Sequence, residues 1–131
     1  MRLTLEKLPA LKPTEVHSAT RLDELEKKVS TEGFWTTPIW IDETTKIVID
    51  GHHRLELAKR LNLNIVPCFN FNYKKELSVY SRDENKIISH SDVIHAGLSK
   101  TPLGYKKTRH EFHGNIFETY IPLSILRFVD E

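Results

Sequence analysis

Cysteine is almost absent from this chain of 131 residues: Cys68 stands alone, so no intrachain disulfide can brace the fold. Its place in an apolar run leads us to expect a buried free thiol in a cytoplasmic protein. An excess of one charge is also missing. Nineteen basic residues against eighteen acidic ones leave a formal charge of +1, which gives no general pull on nucleic acid. No apolar run approaches the length of a membrane span, and the N-terminus lacks the basic stretch and apolar core of a secretory signal. Neither membrane nor nucleic acid is therefore an expected partner. Repeats, low-complexity tracts and linkers are lacking too, so residues 1–131 read as a single α/β domain with a hydrophobic core of its own. His90, His95, His110 and His113 do not follow a zinc-ligand spacing.

What is present alternates between the periods of strand and helix. Leu3 to Leu11, bracketed by Pro9 and Pro13, reads as an edge strand or extended lead-in. A loop through Ser18 follows, and Thr20 with Asp23 three residues later suggests a helix cap. Leu22, Leu25 and Val29 form one apolar stripe, Glu24, Lys27 and Lys28 face water, and Gly33 ends the helix. Pro38 to Ile41 and Lys46 to Ile49 flank Asp42-Glu43-Thr44-Thr45 as a β-hairpin. Leu55, Ala58 and Leu61 then make a helical stripe with Leu57 at its margin, and Asn62-Leu63-Asn64 closes it. Ile65 to Phe71 is a strand in which Pro67 suggests an edge or an irregularity. Ser89 to Leu98 reads as a short helix carrying Val93, Ile94 and Leu98, with Gly97 near its end. Thr101 to His110 reads as a polar functional loop, Phe117 to Ile121 as a closing strand, and Pro122 as the start of a helical turn over Leu123 to Leu126.

The chemistry concentrates in Ile47-Val48-Ile49-Asp50-Gly51-His52-His53-Arg54-Leu55-Glu56-Leu57-Ala58. A strand that feeds straight into a helix leaves unpaired backbone N–H groups at the helix start, and these grip phosphate oxygens. Gly51 permits a tight turn or a close ligand. Arg54 adds a two-pronged cation, and His52 and His53 add compact donors whose charge depends on pH. The pattern is neither the longer Gly-rich phosphate loop nor the paired-glycine dinucleotide fingerprint. Asp50 would repel phosphate unless it caps the helix, orients a neighbour or holds Mg2+ against the phosphates. In the plainer reading Asp50 only caps and the histidines only pack. Lys106-Lys107-Thr108-Arg109-His110 forms a second basic cluster, either an anion site or a solvated loop. Trp35 and Trp40 can line a nucleotide cavity or simply pack.

Through Glu15-Val16-His17-Ser18, Thr37-Pro38-Ile39, Ile49 to Arg54 and Thr108-Arg109-His110, the chain resembles the ParB/sulfiredoxin-like superfamily. Within it, the double histidine is closest to the free L-serine kinase branch that includes relatives of SerK and SbnI. DNA-partitioning ParB has a turn richer in arginine, and sulfiredoxins carry a cysteine that this turn lacks. The resemblance implies a compact α/β fold, with a small mixed sheet, flanking helices and a phosphate-binding strand-turn-helix. It also implies transfer of a phosphoryl group from ATP or ADP, with Mg2+, to the hydroxyl of L-serine. In that scheme Glu15 orients or deprotonates the hydroxyl, and Asp50 is a second catalytic residue or positions Mg2+. Gly51, His52, His53 and Arg54 hold nucleotide phosphates; His17 and Ser18 shape the acceptor pocket; Thr108, Arg109 and His110 bind the serine carboxylate or a phosphate. A homodimer could complete the pocket. The alternative is a ParB-like nucleotide-binding regulator without turnover, with or without an association with DNA, although no helix-turn-helix is identified.

Overall fold

A computed structural model of the chain describes residues 1–104 and 107–128. Its centre is a four-stranded mixed sheet in the order β1-β5-β3-β4, built from β1 (Arg2–Lys7), β3 (Ile39–Asp42), β4 (Val48–Asp50) and β5 (Ile65–Phe71). The β3–β4 hairpin forms as the sequence suggests, because the Asp42 carboxylate accepts from both the Thr45 N–H at 2.9 Å and its hydroxyl at 2.7 Å, closing the turn. Pairing β3 with β5 in parallel requires a crossover, which β4 and helix α2 (His52–Arg60) supply. Edge strand β1 runs antiparallel to β5, so Pro67 lies in an inner strand opposite Leu5, not at an edge. One missing ladder donor costs less than is gained by enclosing Val66, Cys68, Phe69 and Phe71, all fully buried.

Apolar residues cover both faces of the sheet. On one, helix α1 (Ala19–Glu32) contributes Leu22, Leu25 and Val29, and α2 contributes Leu55, Leu57 and Ala58, to a core with Ile39, Ile41 and Val48. Leu57, expected at the margin, is fully enclosed because α2 packs against both α1 and the sheet. The cap of α1 is Ser18 rather than Thr20: its hydroxyl accepts from Arg21 N–H at 3.4 Å, and Thr20 already lies in the first turn. Gly33 ends the helix with φ of 77°, as its position suggested.

On the other face, Phe69, Phe71, Tyr73, Ile47 and Ile49 pack against a second layer. That layer holds helix α4 (His90–Leu98) and a two-stranded ribbon of β6 (Leu77–Ser81) and β7 (Thr108–Phe112). The second half is thus more regular than the sequence suggested. Thr108, Arg109 and His110 belong to a strand, because Val79 pairs with His110 and Ser81 with Thr108. In α4, Ser89 and Asp92 form a reciprocal cap, while Leu98 faces solvent and Ala96 takes the inward place. Gly97 is there for packing, since a Cβ would lie 2.5 Å from Ile47 Cγ2 and 3.0 Å from Thr14 Cγ2. The remaining elements are a 3-10 turn (Leu8–Ala10), β2 (Phe34–Trp35), a one-turn α3 (Tyr73–Glu76), β8 (Ile121–Pro122) and α5 (Leu123–Leu126). The expected closing strand shrinks to Ile121–Pro122, since Thr119 spends its hydroxyl and N–H on the carbonyls of Trp35 and Thr36 before pairing begins. No helix among the described residues is long and apolar enough to cross a membrane.

Candidate functional site

Strand β4 ends at Asp50, and Gly51 takes φ of 100° to turn the chain into α2, leaving an αL N-cap with no side chain over the first N–H groups of the helix. Ile39 lies 3.4 Å from where a Gly51 Cβ would stand, so both conformation and space favour glycine. The start of α1 is brought alongside: His53 Nε2 accepts from the Ser18 N–H at 3.0 Å. Two helix N-termini therefore converge, and their partial positive charges add.

The two histidines, indistinguishable by composition, part company here. His52 points inward and is nearly enclosed. Its Nε2 accepts from the N–H groups of Thr14 and Glu15, each at 3.1 Å, with the Thr14 hydroxyl also at 3.1 Å. Burial, and then the neighbouring His53, push its pKa down from 6.5 to about 4. At neutral pH it is an uncharged acceptor that fixes the Thr14-Glu15 backbone, not a charged donor. His53 stays at the surface of this corner, with the His17 ring edge-on at 6.4 Å.

This arrangement has a consequence for stability. A histidine whose folded pKa lies below its unfolded value binds fewer protons folded than unfolded. Its stabilising contribution is complete above pH about 6.5 and is lost as pH falls towards 4, about 3 kcal/mol in all for His52. Urea midpoints should fall over that interval, and His52→Gln should show a shallower fall. Equal slopes in the two proteins would remove His52 as the cause.

Arg54, on the first turn of α2, presents the most telling atom. Its Nη1 is the one buried side-chain nitrogen or oxygen without a hydrogen-bond partner among the described residues. Burial, and then the nearby Arg21 charge, hold its pKa below the usual arginine value, while Glu32, Asp50 and Glu118 act the other way. A desolvated cation with an idle N–H is costly unless an anion completes it.

Facing this corner are two carboxylates. Glu15 lies on an extended segment that bridges to Leu103, and its Oε1 accepts from the Thr108 N–H at 2.8 Å and the Thr108 hydroxyl at 2.5 Å. Burial raises its pKa against those bonds and against the Arg82 charge. Asp50 Oδ1 accepts from the Gly51 N–H at 2.9 Å. Asp50 is reached by solvent, yet its carboxyl sits low among surrounding protein atoms, and that burial raises its pKa, with Gly51, Arg82, Arg54 and His53 opposing. Its charged form is thus opposed by burial and supported by those neighbours.

Strand alternation splits the second basic cluster. Thr108 and His110 face inward, where His110 Nε2 lies 2.7 Å from the Tyr73 hydroxyl; burial lowers its pKa to about 4. Arg109 points the other way, paired with Glu111 and lying 4.8 Å over the Tyr80 ring, so it does not join the site. Lys106 lies outside the described residues. The cation that does join was missed: Arg82, at the end of β6, donates from Nε to the Thr108 carbonyl at 2.9 Å and acts electrostatically on Glu15, Asp50 and His110. The alternation of Leu77 and Val79 was the available signal for that strand. A cavity of about 560 Å3, lined in part by Ser81, Ile88, His95, Leu103 and Lys107, lies beside this cluster, not within it.

No family model matches the chain, and no curated protein matches it in sequence. Solved structures do match in shape. A free serine kinase in complex with AMP aligns over 95% of this chain and 93% of its own, with a TM-score of 0.86 at 12% identity. A conserved hypothetical protein from Pyrococcus furiosus aligns over 96% and 97%, with a TM-score of 0.86 at 13% identity. C-terminally truncated SbnI from Staphylococcus aureus aligns over 98% and 90%, with a TM-score of 0.85 at 12% identity. At such identities the likeness establishes the fold alone: the chain has the α/β architecture seen in the free serine kinase and in truncated SbnI.

Proposed function

We propose that this protein is a free L-serine kinase, transferring the terminal phosphoryl group of ATP or ADP to the serine hydroxyl to give O-phospho-L-serine. The observation that carries the reading is Arg54 Nη1, buried and unpartnered on the first turn of α2, with the Asp50 charge acting on the same guanidinium. An anion at the Gly51 to Arg54 turn would satisfy that nitrogen and the open N–H groups of the helix. His53 and Ser18 shape the same corner, and His52 serves as a positioning residue by holding Glu15.

In the reaction, the serine hydroxyl oxygen forms the new O–P bond, the bond from the terminal phosphorus to the bridging oxygen breaks, and the shortened nucleotide leaves with that oxygen. The hydroxyl proton passes to Glu15. Glu15 suits this task because Thr108 fixes one of its oxygens while burial raises its basicity. Most of the rate gain would come from alignment and from Arg54 and backbone N–H groups facing the phosphoryl oxygens.

Among the described residues no three His, Cys, Asp or Glu side chains converge on a metal site. Mg2+ does not need such a cage, since it binds through one or two carboxylates and the phosphates themselves. The Asp50 carboxylate, exposed and bonded through Oδ1 to the Gly51 N–H, fits that requirement and would hold Mg2+ arriving with the nucleotide; the ion would offset repulsion between nucleophile and phosphate.

Phosphorus NMR on the purified protein with Mg2+, L-serine and either ATP or ADP tests the reading. The expected result is an O-phosphoserine signal growing in step with loss of the donor's terminal phosphate, in whichever reaction holds the true donor. Nucleotide binding with no such product in either reaction would sink the kinase and favour a nucleotide-binding regulator.

A further inference from the structure

Arg82, exposed just past the end of β6, is a second arginine with terminal donors that no side chain among the described residues engages. The backbone N–H of Arg82 donates to the Lys107 carbonyl at 3.0 Å and its Nε to the Thr108 carbonyl at 2.9 Å, which tether the residue to β7. Among the described residues, no carboxylate lies within ion-pair distance of its guanidinium, and no hydrogen bond engages its two terminal nitrogens. Yet its charge is felt by both Glu15 and Asp50. Those two carboxylates are held by other donors, Thr108 and Gly51, so Arg82 is close to negative charge without being committed to it.

We infer that Arg82 is a second anion subsite, apart from the one at the start of α2, and that it takes the α-carboxylate of an amino-acid acceptor. The inference rests on the kinase reading for the identity of the acceptor. A guanidinium tethered at Nε keeps a planar pair of terminal N–H groups that match a carboxylate in two-pronged fashion. Its tether is the carbonyl of Thr108, whose N–H and hydroxyl hold Glu15. One residue thus sets both the anion site and the proton acceptor, and a compact molecule can span them. A phosphate at Arg82 would bring two or more negative charges up to Glu15 and Asp50. An amino acid brings one, with an ammonium group on the adjacent carbon that those carboxylates attract. The site therefore favours a small zwitterion with a hydroxyl, and selects against alcohols that lack the carboxylate.

The test compares the parent protein with Arg82→Gln and Arg82→Lys, using L-serine and ethanolamine, which is serine without its carboxylate. We expect Arg82→Gln to raise KM for serine about ten- to a hundredfold and to leave KM for the nucleotide and for ethanolamine within about twofold, any change in kcat from the lost charge near Glu15 being shared by both acceptors. Arg82→Lys, which keeps the charge and loses the fork, should fall between, and the thermal shift on adding nucleotide reports whether each variant is folded. Equal weakening of serine and nucleotide in a folded variant, or an equal rise in KM for serine and ethanolamine, overturns the assignment. Calorimetric titration of serine into the protein with a non-hydrolysable nucleotide separates the two proposals. A parent that binds serine through Arg82 but makes no phosphoserine defeats the kinase and leaves the subsite standing. Serine binding unaffected by Arg82→Gln defeats the subsite alone.

Discussion

Glu15→Gln is expected to give a folded, nucleotide-binding protein that makes O-phosphoserine at least about a hundredfold more slowly than the parent. The substitution is chosen for what it keeps. A glutamine carbonyl oxygen can still accept from the Thr108 N–H and hydroxyl, so the bridge between the Glu15 segment and β7 survives. The negative charge and the basic lone pair are lost, so a hydroxyl proton has no nearby acceptor of matched strength. Because burial raises the Glu15 pKa, the parent's kcat should decline on the acid side at a pH above that of an ordinary glutamate, as the carboxylate takes up its proton. That limb should be absent from what activity remains in the variant. Steady-state rates across pH, with nucleotide affinity measured separately, check both points. A variant with near-parent kcat would remove Glu15 from the chemistry and shift attention to Asp50.

Which parts of this site were legible in the sequence follows from how far apart its pieces lie. The strand-turn-helix was readable because it is local: β-branched residues up to Ile49, a glycine, and then a stripe at helical spacing. Burial direction was not. His52 and His53 are neighbours of one type, and only the packing of α2 against the sheet sends the first inward to hold Thr14 and Glu15 and leaves the second near Ser18. Thr108-Arg109-His110 invited reading as one cluster because its residues are contiguous, whereas in a strand alternate side chains go to opposite faces. Arg82 was hidden for the converse reason. Its role depends on the antiparallel partner β7, and nothing near it in sequence announces that pairing. Pro67 misled because a proline penalty is a single-residue quantity, while the burial that outweighs it is summed along a strand.

Replacing Arg54 should separate binding from folding more sharply than any other change in the molecule. In the free protein the guanidinium is partly desolvated, Nη1 is buried without a partner, and the nearby Arg21 charge adds repulsion. An apolar side chain of similar length removes that cost while keeping the contacts of the stem, so Arg54→Met should be as stable as the parent without ligand, or more stable by about 1 kcal/mol. With nucleotide the order reverses. Loss of a desolvated charge pair to phosphate costs about 2–5 kcal/mol of affinity, roughly a thirtyfold loss at the least. At a ligand concentration a hundredfold above the parent's Kd, the parent gains about 2.7 kcal/mol of stability, and the variant should gain less than about 1. Thermal denaturation with and without nucleotide reads both halves in one experiment. A less stable free protein with intact nucleotide stabilisation would make Arg54 a packing residue whose missing hydrogen bond is met by solvent. Stability kept and nucleotide response lost would identify that unpartnered nitrogen as the place where the phosphate binds.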